Sequence, residues 1–307
     1  ISQEIKWLCH ERGIKYKELD LEIINNTRPK QKLTRKKKKI LGEKLKEVSN
    51  KNPLCAHELL GEHYGIINTM KKLNNKEAWF WLYYSILDGG GPAQTFVKGF
   101  LSLKENDLHT PEKICKVVSD EGYEHTAQRI LECIEGKAVL FNPGGMGNIT
   151  YARAIIEAAE LLRKYNFDFD NFYSKAKESE NILEFLLNEL SHITFMKSKN
   201  SRRKKQFLRG MALRGGWYLP TEDPYFLETP EQSTHIMNVS RRLGICAKSG
   251  KMSKELNEFC EDYLRNRAVV SHALWVIGKK FCLTSARPKC ENCPLKGLCS
   301  SEGTWFK

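Results

Sequence analysis

The chain has 307 residues, of which 41% are hydrophobic, and its 50 Lys and Arg against 37 Asp and Glu give a formal net charge of +13 at pH 7. It contains no run of about eighteen apolar residues, which excludes a membrane-spanning helix, and its length allows a sizeable core and two lobes. The positive balance is typical of a protein that binds a polyanion. We expect a monomer inside the cell (cytoplasm or nucleoid, or the nucleus of a eukaryote) whose ten cysteines serve as free thiols and a metal site.

Residues 1–76 are predicted to form a separate basic extension. Residues 28–39 read RPKQKLTRKKKK, and such dense like charge repels itself unless a counter-charge, usually phosphate, is present. The run is compatible with a nucleic-acid arm, a localisation signal or a solvated helix face. Residues 71–76 have the composition of a linker to the next segment.

Residues 77–280 predict a helical core, because apolar residues recur at helical spacing between Gly, Pro and Asn breaks. Residues 77–87 are rich in aromatic side chains, for which core packing is favoured over a role as stacking faces for a base. Thr110 and Pro111 mark a helix start, and Thr150 is expected to cap the helix that follows it. Further helices are predicted at 151–164, 181–195, 205–214, 233–243, 252–265 and 267–280. The sequence shows neither alternating strands nor a fixed repeat, so the predicted fold class is all-α.

Residues 281–307 are predicted to be a loop and tail built around four cysteines. Their spacing is C-x7-C-x2-C-x5-C, formed by Cys282, Cys290, Cys293 and Cys299. A compact loop with four thiolates can hold an iron–sulfur cluster or a Zn²⁺ ion. Zinc loops more often carry two well-separated C-x2-C pairs, and only one such pair is present, so the spacing favours the cluster.

The cysteine loop also carries a resemblance. Residues 281–299, FCLTSARPKCENCPLKGLC, resemble the C-terminal [4Fe–4S] loop of endonuclease III-like DNA glycosylases, although the first gap has seven residues where the family usually has six. Residues 79–103 look like the family's helix pair with the wedge and pocket residues. Residues 147–156 resemble its G-x-x-x-x-K-A helix start, and residues 233–245 its D-T-H-I-x-R-V segment. The matched segments occur in order, and the basic extension has no counterpart.

The resemblance implies a two-lobe helical glycosylase-like core with a helix–hairpin–helix and a [4Fe–4S] cofactor held by the four cysteines. Such enzymes bind double-stranded DNA, flip a damaged or modified base out of the helix and cut its N-glycosidic bond. A carboxylate stabilises the positive sugar left by the departing base, and bifunctional members also use a lysine that forms a Schiff base. The implied function is a DNA glycosylase of base excision repair, with lyase activity left open.

Two positions depart from the family pattern. Ser233 stands directly before Thr234-His235, where the family has an aspartate, and serine is neutral at pH 7. The hairpin, residues 195–207, has no glycine, whereas the family's hairpin glycines let backbone N–H groups approach a phosphate. An alternative is therefore a non-catalytic protein of the same fold that binds nucleic-acid structure. A third reading is a zinc-stapled interaction protein with basic tails.

The candidate site residues follow from the matched positions. Lys204 (or Lys205) lies where the family has its lysine, and Lys204 is interpreted as either a Schiff-base nucleophile or a phosphate-contacting charge. Glu231 and Asp88 are candidates for the catalytic carboxylate, and Asp223 and Glu228 are further ones. DNA contacts are predicted for Lys197, Lys199, Arg202, Arg203 and Lys205, and for Gln94 as a wedge.

Overall fold

A computed structural model describes residues 33–52, 72–87, 93–134, 147–199, 201–219, 234–246, 252–263, 267–282 and 288–299. The regular secondary structure within these ranges consists only of helices, which confirms the all-α prediction for the described part of the chain. The helices are α1 (Arg35–Lys51), α2 (Asn75–Leu87), α3 (Ala93–Glu105), α4 (Pro111–Glu121), α5 (Tyr123–Ile134), α6 (Gly147–Arg163), α7 (Phe169–Lys177), α8 (Ile182–Leu190), α9 (Arg202–Arg214), α10 (Thr234–Leu243), α11 (Met252–Tyr263) and α12 (Arg267–Lys280). None of the described helices combines the length and the apolar character needed to cross a membrane.

The chain divides into two compact units. The first contains Ile1–Asn52 together with Thr221–Lys307, and the second contains Pro53–Pro220. The predicted boundaries at residues 76 and 280 divide the chain along its sequence, whereas the structure places the described parts of 33–52 and 234–299 in one unit. Helix α1 packs on α11 and α12, so this part of the predicted extension belongs to the unit that carries the cysteine loop.

Helix α1 forms because one of its faces is apolar and its start is capped. The Thr34 hydroxyl accepts a hydrogen bond from the backbone N–H of Lys37 at 3.3 Å. Leu41, Leu45 and Val48 recur at helical spacing and are buried in the core of the first unit. The lysines before them are mostly exposed, and no acidic residue stands in the first turn.

A buried hydrogen bond connects α1 with α12. Ser49 Oγ lies 3.0 Å from His272 Nδ1, and both side chains are buried. At the end of α1, Lys280 Nζ donates to Asn52 Oδ1 at 3.0 Å. These hydrogen bonds join residues more than two hundred positions apart in the sequence, and they hold the C-terminal end of α1 against α12.

Helix α2 occupies the centre of the second unit. Its side chains from Ala78 to Leu87 are all buried, which confirms the prediction that the aromatic run is core. It contacts α3, α6 and α9. Trp81 Nε1 donates to the carbonyl of Phe207 on α9 at 3.1 Å. A side chain on Gly210 would overlap the Trp81 indole, so glycine is what allows α9 to approach α2 this closely.

Candidate metal centre and basic turn

The four cysteines of the loop line a single cavity in the first unit. Cys282 follows the end of α12, and Cys290, Cys293 and Cys299 come from the turns after it. The apolar walls are supplied by α10, α12 and the loop itself, through Val239, Leu243, Ile277, Phe281, Pro288 and Leu295. The packing therefore brings to one place the four thiols that the sequence spacing singled out.

Backbone hydrogen bonds hold the loop in this shape. The N–H of Lys289 donates to the Phe281 carbonyl at 2.7 Å, which fixes the start of the second half of the loop against the end of α12. Residues Cys290–Asn292 form one turn of 3₁₀ helix. Leu295 is fully buried in the core of the first unit, and its carbonyl accepts from the Cys299 N–H at 3.2 Å. Burial of this one leucine anchors the turns that present the last three cysteines.

All eight described cysteines are free thiols, and the four in the loop are half-buried. Burial raises the pKa of Cys282 to about 11, and the nearby Arg242 guanidinium opposes this rise. The Cys299 thiol donates to the Arg242 carbonyl at 3.5 Å. Because a metal ion is bound by thiolates, binding at this cavity has to displace the thiol protons.

The donor set is four cysteine thiols, which as thiolates can hold either an iron–sulfur cluster or a Zn²⁺ ion. Among the described residues, no group of three or more His, Cys, Asp or Glu side chains gathers closely enough to hold one metal ion in this geometry. All four thiols line one cavity. A [4Fe–4S] cluster is bound by four cysteine thiolates. A tetrahedral zinc site needs all four within about 2.3 Å of one point.

A second candidate site lies in the second unit, in the connection from α8 to α9. We call residues 195–203 the basic turn. Lys197, Lys199 and Arg202 are exposed there, as expected of side chains that contact phosphate. The turn is the part of the structure that corresponds to the predicted hairpin.

The basic turn rests on contacts with α6. The Glu157 carboxylate accepts hydrogen bonds from the Thr194 N–H at 2.6 Å and from its hydroxyl at 3.0 Å. The ring of Phe195 stacks on Tyr151 with a centroid separation of 4.4 Å. The Ser201 hydroxyl donates to the Phe195 carbonyl at 2.8 Å and caps α9. Sequence reasoning missed Glu157, because nothing local marks a carboxylate that binds a turn 37 positions later.

Arg203 is placed differently from its basic neighbours. Its guanidinium carbon lies 4.4 Å from the Phe195 ring centroid and 5.5 Å from that of Tyr151. One of its Nη atoms donates to the Tyr151 hydroxyl at 3.0 Å. The guanidinium is thus bound to the aromatic pair by cation–π and hydrogen-bond contacts, and Arg203 stiffens the basic turn.

Lys204 and Lys205 are buried, with relative exposures of 0% and 1%. Lys204 Nζ donates to the Leu187 carbonyl at 3.0 Å and to the Ser191 hydroxyl at 2.7 Å, near the C-terminal end of α8. Loss of solvent lowers the Lys204 pKa from its usual 10.5 to about 8. A phosphate contact by either side chain would require its amine to leave this position.

The remaining predicted residues cannot be placed. Asp88, Glu231 and Ser233 lie outside the described residues, as do the further carboxylates Asp223 and Glu228. Gln94 is in the first turn of α3, and its side chain lies outside what the structure describes. Their roles stay predictions.

Comparisons with protein-family models, curated proteins and solved structures found no match to this chain. The described residues define an all-helical protein with a cavity lined by four cysteines in one unit and an exposed basic turn in the other.

Proposed function

We propose that this protein is a DNA glycosylase-like enzyme that excises a damaged or modified base from duplex DNA after flipping it out of the helix. The observation that carries the proposal is the convergence of Cys282, Cys290, Cys293 and Cys299 on one cavity. Their sequence is also the segment with the most specific resemblance to the glycosylase family. Four cysteine ligands would leave a bound [4Fe–4S] cluster no open position for substrate, so it would stabilise the loop and its contacts with DNA.

The basic turn supports duplex DNA as the partner. Lys197, Lys199 and Arg202 present positive charge at the surface, on a turn held in place by Glu157 and by the Phe195–Tyr151 stack. Contacts of this kind with phosphate supply affinity and orientation but no base recognition. Recognition of the base would then depend on the residues of the pocket that receives it.

The chemistry requires a carboxylate and, for strand cleavage, an amine. Asp88 and Glu231 are the proposed carboxylates, which would offset the positive charge that develops on the sugar. Lys204 is the proposed amine. A pKa of about 8 leaves a substantial neutral fraction near neutral pH, which a Schiff-base nucleophile needs. Its burial means that the α8–α9 connection has to open before DNA can reach it.

The second candidate function is DNA binding without catalysis. It is favoured by Ser233 in the aspartate position and by the Lys204 amine, which is buried and hydrogen-bonded to Leu187 and Ser191. Such a protein would use the basic turn on the same fold and release no base.

A single-turnover assay distinguishes the two functions. Labelled duplexes carrying different damaged, deaminated and mismatched bases are incubated with excess protein, and each sample is divided into untreated and hot-alkali portions. We expect breaks on at least one duplex. Breaks only after alkali indicate a glycosylase without lyase activity, and breaks without alkali indicate a Schiff-base lysine. Absence of breaks on every duplex, from iron-loaded protein that binds DNA, would establish the second function.

Replacing Lys197 and Lys199 together by alanine is expected to weaken binding to all duplexes about equally. Because each phosphate contact releases counterions, the slope of log K against log salt should become shallower by about 2. The matched control replaces Lys113 and Lys175, which pair with Asp107 and Glu178 outside the basic turn. It removes the same charge and should leave the slope nearly unchanged. Equal slopes for the Lys197/Lys199 variant and the wild type would exclude these phosphate contacts.

A further inference from the structure

Tyr218 is exposed in a way that its neighbours are not. Its relative exposure is 89%, while Trp217 and Leu219 on either side are 2% and 8% exposed. Tyr218 is the central residue of a γ-turn, which the Leu219 N–H closes by donating to the Trp217 carbonyl at 3.0 Å, and its side chain points outward between two buried neighbours. Among the described large hydrophobic side chains, no other is as exposed.

The backbone at Tyr218 is held by Tyr173 of α7. The Tyr218 N–H donates to the Tyr173 hydroxyl at 2.9 Å, and that hydroxyl donates to the Tyr218 carbonyl at 3.2 Å. One buried phenol thus satisfies both main-chain polar groups of the exposed residue. Gly216, with φ of +71°, provides the left-handed conformation that lets the chain turn away from α9.

An aromatic cluster packs around Trp217 and anchors this segment. Trp217 stacks on Tyr173 with centroids 5.1 Å apart and planes 9° from parallel. Phe172 and Phe207 meet the Trp217 ring edge to face at 5.7 and 5.8 Å. A segment anchored in this way loses little conformational freedom when a ligand covers Tyr218, so more of the contact energy appears as affinity.

Two lysines lie close to the segment. Lys177 Nζ lies 5.4 Å from the ring centroid of Tyr173. The Lys72 side chain runs beside Gly216 and pairs with Asp170 at 2.6 Å. An exposed aromatic ring with positive charge nearby is the combination that binds unpaired nucleobases, since the ring stacks on the base and the cations attract the phosphates.

From these contacts we infer that Tyr218 is a stacking platform for an unpaired nucleobase of DNA. The inference rests on the proposed function in one respect, namely that DNA is the partner, and it adds a named contact with a base. The tyrosine face would cover a base that has left the double helix, while the Lys177 ammonium attracts a phosphate of the strand beside it.

The test compares Tyr218→Ala and Tyr218→Phe with the wild type on two duplexes of the same sequence, one fully paired and one with a single bulged 2-aminopurine. Stacking on an aromatic side chain contributes about 1–3 kcal/mol per base, so Tyr218→Ala should bind the bulged duplex about 5- to 140-fold more weakly. Tyr218→Phe, which keeps the ring, should bind it as the wild type does. All three proteins should bind the paired duplex equally.

Tyr218→Ala should have the same melting temperature as the wild type, because the Tyr218 side chain is exposed and the hydrogen bonds to Tyr173 use the main chain of residue 218. The fluorescence of 2-aminopurine should fall on binding to the wild type and Tyr218→Phe, and less on binding to Tyr218→Ala. Equal affinity of the wild type and Tyr218→Ala for the bulged duplex overturns the inference and leaves the proposed function standing. Equal weakening on both duplexes also overturns it, and failure of the wild type to bind either duplex overturns both proposals.

Discussion

Replacing Cys290 by serine is expected to remove most of the bound iron and to destabilise the first unit. A metal centre bound by the four cysteines would link the turns of the loop to the end of α12, so losing one ligand would remove part of the free energy of unfolding. Structural zinc contributes on the order of 10 kcal/mol in small domains, and by analogy the loss should amount to several kcal/mol. DNA affinity should fall as well, because the loop is proposed to contact DNA.

Iron content, absorbance near roughly 400 nm from the cysteine-bound cluster and thermal unfolding measure these effects. The matched control is Cys260→Ala, a buried cysteine on α11 in the same unit that does not line the cavity. It should lower stability slightly through the small void it leaves and keep the colour. A Cys290→Ser protein with the iron content and melting temperature of the wild type would rule out the cluster role. Colourless wild-type protein with one zinc ion per chain would instead support the third interpretation, a zinc-stapled interaction protein.

Replacing Lys204 by methionine is expected to change the pH dependence of stability. The pKa of Lys204 is about 8 in the folded chain and 10.5 without burial. Between these pH values the unfolded chain binds a proton that the folded chain has released, so the stability of the wild type rises with pH in this window. Below pH 8 both states are charged and the wild type bears the full cost of the buried ammonium. Between pH 7 and pH 11, the free energy of unfolding of the wild type should therefore rise by up to about 3 kcal/mol relative to that of Lys204→Met.

Urea unfolding of the two proteins across this range provides the measurement. Other titrating groups, such as the buried Cys115 with its raised pKa, are common to both proteins and cancel in the difference. A difference in stability that does not change with pH would contradict the lowered pKa. Borohydride trapping on DNA then decides the chemical role. A covalent adduct formed by the wild type and absent from Lys204→Met, with DNA affinity retained, would identify Lys204 as the nucleophile.

Helix starts with local signals were predictable, and helix ends that depend on distant contacts were not. Thr110 caps α4 and Pro111 begins it, as predicted, because both effects act within one turn. The helix predicted to run to residue 195 ends at Leu190. After Leu190 the chain turns so that the Thr194 N–H donates to the Glu157 carboxylate on α6, and Phe195 adopts a φ of +71°. Helix α6 begins at Gly147, so Thr150 lies inside its first turn and does not cap it.

Helix α1 shows the same difference between what local spacing predicts and what distant contacts decide. The spacing of Leu41, Leu45 and Val48 predicts an amphipathic helix, because periodicity depends only on the backbone geometry. It does not say which surface covers the apolar face. That surface is supplied by α11 and α12, about two hundred residues away, through packing that includes the Ser49–His272 hydrogen bond.

The amino-acid sequence by itself determined the helical class of the described chain, the buried character of α2 and the set of four loop cysteines. Each depends on local spacing or on residue type alone. Only the tertiary structure decided that these cysteines share one cavity, that Lys204 and Lys205 face inward from a highly basic segment, and that Tyr218 faces outward between two buried residues. The exposure of a side chain depends on what distant segments pack around it, and a charged run that reads as a surface can therefore contain buried members.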